Sequence, residues 1–172
     1  RCLSQQKSLL SMYQKGLLAD KAWVNYQTTA LGIIALNSAH YQRAFDQCKV
    51  VANHHPSLLA SKCAGIAAEA LGQLDLASLY LRAYLSSHPD DIESLSKLAK
   101  VLGKKGKDKE AVALLRRLAL EKPNQLGMEK SRILFNLGVA EAKLGYLDAA
   151  EAAWQKLDKN SKAYLEATEL LD

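Results

Sequence analysis

The side chains that could do chemistry are few, and their spacing argues against catalysis. Four histidines (His40, His54, His55, His88) and three cysteines (Cys2, Cys48, Cys63) have no metal-ligand spacing among themselves or with one another. No glycine-rich phosphate loop, HExxH or CxxC occurs. Ser57, Ser131 and Ser161 stand at predicted helix starts, where capping explains them, and the carboxylates are scattered. Nothing pairs a nucleophile with a base. His54, His55 and His88 fall near predicted helix ends, where a cation suits the helix dipole. The expectation is a protein that is not an enzyme, with no catalytic, cofactor-binding or metal-binding residues and no small-molecule substrate.

Three cysteines are too few and too irregular for a disulfide framework. Cys48 and Cys63 fall on apolar helical faces and are expected to be buried free thiols, behaving as small hydrophobes. The composition, rich in Ala, Leu and Lys and poor in aromatics, favours helices. No run of about 18 uncharged apolar residues is present, so no transmembrane segment is expected. The sequence starts at Arg1 without a signal-peptide pattern and reads as a segment of a longer or processed chain. A soluble protein, cytoplasmic or periplasmic, is expected; the residues do not set its oligomeric state.

What the sequence does hold is a period. Pro56, Pro89 and Pro123 are 33 and 34 residues apart. The small residues Gly32, Gly65, Ala99 and Gly138 follow one another by 33, 34 and 39, and so do Ala44, Ala77, Ala111 and Ala150. Two columns therefore keep one phase through the extra five residues before the last unit, placed within Pro123–Met128. Paired antiparallel helices approach closely only where Gly or Ala faces the partner, and larger residues fill the space around that point. Cys48, Leu81, Leu115 and Trp154, one turn after each Ala, are the fillers. Gly72, Gly106 and Gly145 suit left-handed helix ends, and Asn37–His40 takes that place in the first unit.

With those columns the chain resembles the tetratricopeptide repeat (TPR) family, whose pattern is roughly W-x2-L-G-x2-Y, A-x3-F, P. The matches are Leu134-x2-Leu137-Gly138 with Ala150-x3-Trp154, and Thr28-x2-Leu31-Gly32 with Ala44 and Pro56. Thr28 and Ser61 stand where the family has an aromatic, and Ala99 where it has Gly. The resemblance implies an all-α fold, a right-handed α-α superhelix of about four helix pairs with extra N- and C-terminal helices. The expected units are 25–57, 58–91, 92–125 and 131–160. Residues 1–24 are expected to form an N-terminal cap or degenerate repeat, with one helix over 3–15 ended by Gly16 and a second starting at an Asp20 cap. Residues 161–172 are expected to form a C-terminal capping helix.

In this family the first helix of each pair lines a concave groove. Carried over, the partner-binding groove comprises Tyr26, Thr29, Ile33 and Leu36, then Leu59, Lys62, Ile66 and Glu69, then Ser96, Lys100 and Lys104, then Arg132, Phe135 and Lys143. Such a groove is apolar in its first half and basic in its second, suited to a protein or peptide with apolar and acidic segments. The competing reading buries Ile33, Leu36 and Ile66 under the N-terminal helix or by tight curvature. Residues 97–132 carry eleven Lys or Arg and four Asp or Glu, so the third unit alone makes the chain basic. A solvated helix face is the plainest account of that cluster. The places equivalent to a chaperone-tail carboxylate clamp hold Thr29, Ile33, Cys63, Glu93 and Lys97, which lack the Lys/Asn pair. The function expected is a non-catalytic protein–protein interaction module, an adaptor or scaffold such as bacterial secretion, pilus or envelope machinery uses. The alternatives are a secretion-chaperone-like client binder that dimerises through its N-terminal helix, and an RNA-binding helical repeat. Scarce aromatics beside the basic cluster argue against RNA.

Overall fold

A computed structural model describes residues 2–55, 59–121, 126–158 and 162–168. Those residues form an α-helical array: α1 (Cys2–Asn37), α2 (Tyr41–His54), α3 (Leu59–Ala70), α4 (Leu74–Leu85), α5 (Ile92–Lys104), α6 (Asp108–Glu121), α7 (Lys130–Lys143), α8 (Leu147–Trp154) and α9 (Lys162–Thr168). A short 3-10 turn, Gly127–Glu129, leads into α7. Pro56, Ser57, Pro123 and Ser161 lie outside the described residues.

The helix pairs are joined by one turn used four times. After α3, Gly72 takes φ 74°, its N–H bonds the Glu69 carbonyl and the next N–H bonds the Ala68 carbonyl. Gly106 and Gly145 repeat this at 73° and 79°, and Ala39 does so at 58°. Each turn satisfies carbonyls that a helix end leaves free, which is why a left-handed residue recurs there. Ala39 carries a Cβ in a region that disfavours one. Asp91 opens α5 by accepting the Ser94 N–H at 2.8 Å.

The small-residue columns do the close packing expected of them. A Cβ placed on Gly32 would collide with Cys48 Sγ, one on Gly65 would lie 2.8 Å from Leu81 Cγ, and one on Gly138 would collide with the Trp154 indole. Trp154 also donates its Nε1–H to the Phe135 carbonyl at 3.2 Å. The larger of two buried clusters runs from Ala35 in α1 to Ala153 in α8. The smaller gathers Leu134, Ala150, Trp154, Leu157 and Ala167, and it seats α9 on α7. Each helix packs on its successor through α8, and the first helices also touch one another in the row α1–α3–α5–α7. The second helices have no such row among the main contacts, so the array is tighter on the side of the first helices.

Three expectations are corrected. Gly16 does not end a helix and Asp20 is not a cap: α1 is one helix of 36 residues, about 54 Å long, so the N-terminal segment and the first helix of unit one are a single element. A glycine in an exposed helix interior costs only about 1 kcal/mol, too little to stop a helix unaided. Ser131 lies inside α7 rather than at its cap. Cys48 and Cys63 are not free thiols: they form a disulfide between α2 and α3, Cα to Cα 6.1 Å. The helix pairing that buries both apolar faces brings the two sulfurs together, although they are 15 residues apart in sequence.

Candidate protein-binding groove

The first half of the expected groove assembles around α1 and the start of α3. Tyr26, Thr29 and Ile33 lie on one face of α1 at helical spacing and, with Leu59, line an open groove of about 670 Å³. Lys21, Asn25 and His55 complete its rim, and Ala22 and Ala30 keep its floor shallow. Tyr26 is 66% exposed and stacks on Trp23, itself 60% exposed, with ring centroids 5.8 Å apart. Thr29 spends its hydroxyl on the Asn25 carbonyl at 2.8 Å. Leu36 and Ile66 are half-buried against the main cluster and do not line this groove; Ile33 is half-buried and does. Leu36 and Ile66 are thus turned toward the main cluster, short of the full burial of the competing reading. Lys21 and Ala22 precede the expected first unit, 25–57, whereas Asn25, Ala30 and His55 lie inside it but outside the expected groove stripe. The α1 periodicity extended toward the N-terminus, from Tyr26 back by four and five residues, reaches Ala22 and Lys21.

The second half differs in kind from the expectation. Glu69 is 6% exposed and holds both Lys100 and Lys104, at 3.0 and 2.6 Å. Burial alone would raise its pKa, but hydrogen bonds and charge from the two lysines outweigh burial and hold it below the usual range. Lys62 is bound by Asp91 at 3.0 Å and Glu93 at 2.7 Å, and its pKa is raised because the two carboxylates outweigh burial. Arg132 turns onto the neighbouring Glu129 at 2.9 Å. Phe135 is half-buried in the C-terminal cluster. Ser96 is fully buried, its hydroxyl without a hydrogen-bond partner, and offers nothing to a ligand. Ser96 faces inward because Leu95, Leu98 and Ala99 beside it fix the buried side of α5.

Part of the basic third unit has a structural role of the same kind. Lys105 pairs with Asp75 of α4, Arg116 with the buried Glu141 of α7, and Lys143 approaches Asp108 of α6 at 3.8 Å. Together with the Glu69 pairs, these contacts join successive units, so Lys100, Lys104, Lys105 and Arg116 of the positive cluster are engaged in inter-unit ion pairs. Lys97 differs: burial, aided by Arg132 and Lys100, lowers its pKa. Lys100, Lys104 and Lys143 rim a second, smaller pocket of about 190 Å³ at the α5–α7 seam. Among the described residues no group of three or more His, Cys, Asp or Glu is placed to hold a metal, and no helix is long and apolar enough to cross a membrane.

No protein-family model matches the sequence, and no curated protein does so either. Solved structures do. A crystal structure of MamA aligns with a TM-score of 0.69 at 19% identity, over 92% of this chain and 86% of that one. A MamA fragment from Desulfovibrio magneticus gives 0.68 at 19%, over 86% and 77%. A tetratricopeptide repeat protein from Parabacteroides merdae gives 0.68 at 17%, over 87% and 59%. The turns, the glycine–filler contacts and these alignments agree: the fold is a tetratricopeptide-like array of helix pairs.

Proposed function

We propose that the chain is a protein-interaction module that seats an apolar segment of a partner protein in the groove between α1 and α3. The observation that carries this reading is the groove itself. Tyr26, Ile33 and Leu59 bring apolar surface to one concavity, a costly arrangement to leave against water. The tetratricopeptide-like fold supports it as a scaffold that presents first helices along one side. The basic half contributes less than its lysine count implies, because Glu69 already occupies Lys100 and Lys104. The Cys48–Cys63 disulfide supports placement in an oxidising compartment.

The test compares proteins retained from the source organism by the wild-type chain and by a Tyr26→Asp/Leu59→Asp variant. Both positions are exposed, so the variant is expected to keep its helical circular dichroism. Affinity for a retained partner should fall at least about tenfold, as burying two unpaired charges demands. Equal retention by both proteins would remove the groove from the account.

A further inference from the structure

Helix α1 carries a further face that neither the array nor the groove uses. Gly32 and Ala35 are buried against the array, and Tyr26, Thr29 and Ile33 line the groove. On the remaining side Trp23, Val24, Leu31 and Ile34 stand open to solvent, each 48% to 61% exposed. Gln27 between them is exposed as well. Val24, Gln27, Leu31 and Ile34 follow one another by three, four and three residues, the spacing that sets side chains on one narrow stripe. No residue of that stripe lines the groove.

The same spacing continues back through the sequence of the helix. Leu3, Leu10, Leu17, Val24 and Leu31 are each seven residues apart, and Gln6, Tyr13, Asp20, Gln27 and Ile34 stand three residues after each of them. The first series is wholly apolar and reads as five successive a positions of a heptad, with the second series at d. A break at Gly16 hides this repeat, because two short helices need not share a phase. The single helix Cys2–Asn37 joins both stretches in one phase. A seven-residue stripe drifts by about 20° per heptad around a straight helix, so it stays aligned only against another helix that supercoils with it.

We infer that α1 pairs in parallel with α1 of a second copy of this chain, the a and d residues forming the seam. The stripe matches itself along the whole helix, as an interface between identical copies requires. Gln6 and Gln27 meet their own counterparts, and a side-chain amide both donates and accepts, so each pair satisfies itself. Lys7 and Lys21 stand at e positions. An antiparallel pair sets e against e and opposes these lysines, whereas a parallel pair sets them beside Cys2 and Gly16 at g. Asp20 then comes beside Lys21 of the second copy, which offsets the approach of the two aspartates. Burying the seven apolar seam residues and Trp23 covers about 600–800 Å² per copy, near the ~800 Å² per partner of a standard stable interface. The pair presents two grooves, because Tyr26, Thr29 and Ile33 stay off the seam. The inference is independent of what the groove holds.

Two measurements on the full chain test this: its mass by sedimentation equilibrium, and the distance between spin labels on Cys2, the thiol outside the Cys48–Cys63 bridge. At about 50 μM, above a micromolar Kd, the chain should sediment at twice its 18.9 kDa. Leu31→Glu/Ile34→Glu should weaken the dimer about a hundredfold or more and keep the helical circular dichroism, since both positions are exposed. Leu10→Glu/Leu17→Glu should do the same from the other half of the helix. Leu79→Glu, on an exposed position of α4, should leave the dimer intact. The labels should lie within about 30 Å of each other, where an antiparallel pair would hold them about 40 Å or more apart. A monomer at that concentration, or a dimer that both seam variants leave intact, would overturn the pairing. A dimer lost in the Tyr26→Asp/Leu59→Asp variant but kept in the seam variants would move the contact to the groove and overturn it equally. A long label distance in an intact dimer would overturn the parallel register.

Discussion

At Ala39 the backbone takes φ 58°, the same left-handed turn that glycine supplies at 72, 106 and 145. A Cβ in that conformation costs roughly 1–2 kcal/mol, so Ala39→Gly should stabilise the chain by about 1 kcal/mol. Urea unfolding would measure it, and a loss of stability would mean that the first turn is not built like the others. Asn37-Ser38-Ala39-His40 was recognisable as a turn because the other three units place glycine in that phase. The contacts of Gly32, Gly65 and Gly138 with Cys48, Leu81 and Trp154 were equally legible, since each pairing follows from the same register. What could not be read was the fate of single polar groups. Ser96 and Glu69 sit on the same helical stripe as exposed residues, and only the packed neighbours of α5 and α3 decide that they are buried.

At the scale of elements, α1 is the largest departure from the sequence reading. Gly16 suggested an end because glycine favours caps, yet nothing lies within 4 Å of a Cβ placed there and its φ is not left-handed. Gly16→Ala should therefore raise stability by about 0.5–1 kcal/mol, the helix-propensity difference. A helix ended at Gly16 would instead be weakened by the change, so a lower thermal midpoint would restore the two-helix description. The α2–α3 disulfide was illegible for a related reason. Buried cysteines look alike in sequence, and only the antiparallel packing of the two helices aligns Cys48 with Cys63. Titration of the unfolded, unreduced chain should find one reactive thiol, Cys2, and reduction should expose all three cysteines. Reduction should also cost about 3 kcal/mol, the loop-entropy value for a closed loop near 15 residues. Three thiols before reduction would refute the bridge.

At the scale of the array, ion pairs such as Lys104–Glu69, Lys105–Asp75 and Arg116–Glu141 join successive units. The sequence showed the excess of lysine in unit three but not its partners, because Glu69, Asp75 and Glu141 belong to neighbouring units. Glu69 and Asp91 both have pKa values lowered below their ordinary 4.5 and 3.8. For Glu69 the lysines outweigh burial; for Asp91 the Ser94 contacts and Lys62 do. A depressed carboxylate contributes stability that is complete above its unfolded pKa and lost as pH falls through the folded one. The urea midpoint should thus hold near neutrality and decline below about pH 4.5. Glu69→Gln should cost about 1 kcal/mol at pH 6, since its lysine partners are part-exposed, and should flatten the acid decline. An acid profile identical to wild type would remove Glu69 from the coupling between units two and three.

The groove between α1 and α3 is the proposed docking site, and a crosslinker placed in it tests that most directly. Tyr26 in the groove and Leu79 on α4 are similarly exposed, 66% and 60%, but only Tyr26 lines the concavity between α1 and α3. With a photoreactive phenylalanine at either position in the source cells, position 26 should form a discrete protein adduct and position 79 should not. Adducts at 79 with none at 26 would contradict the account.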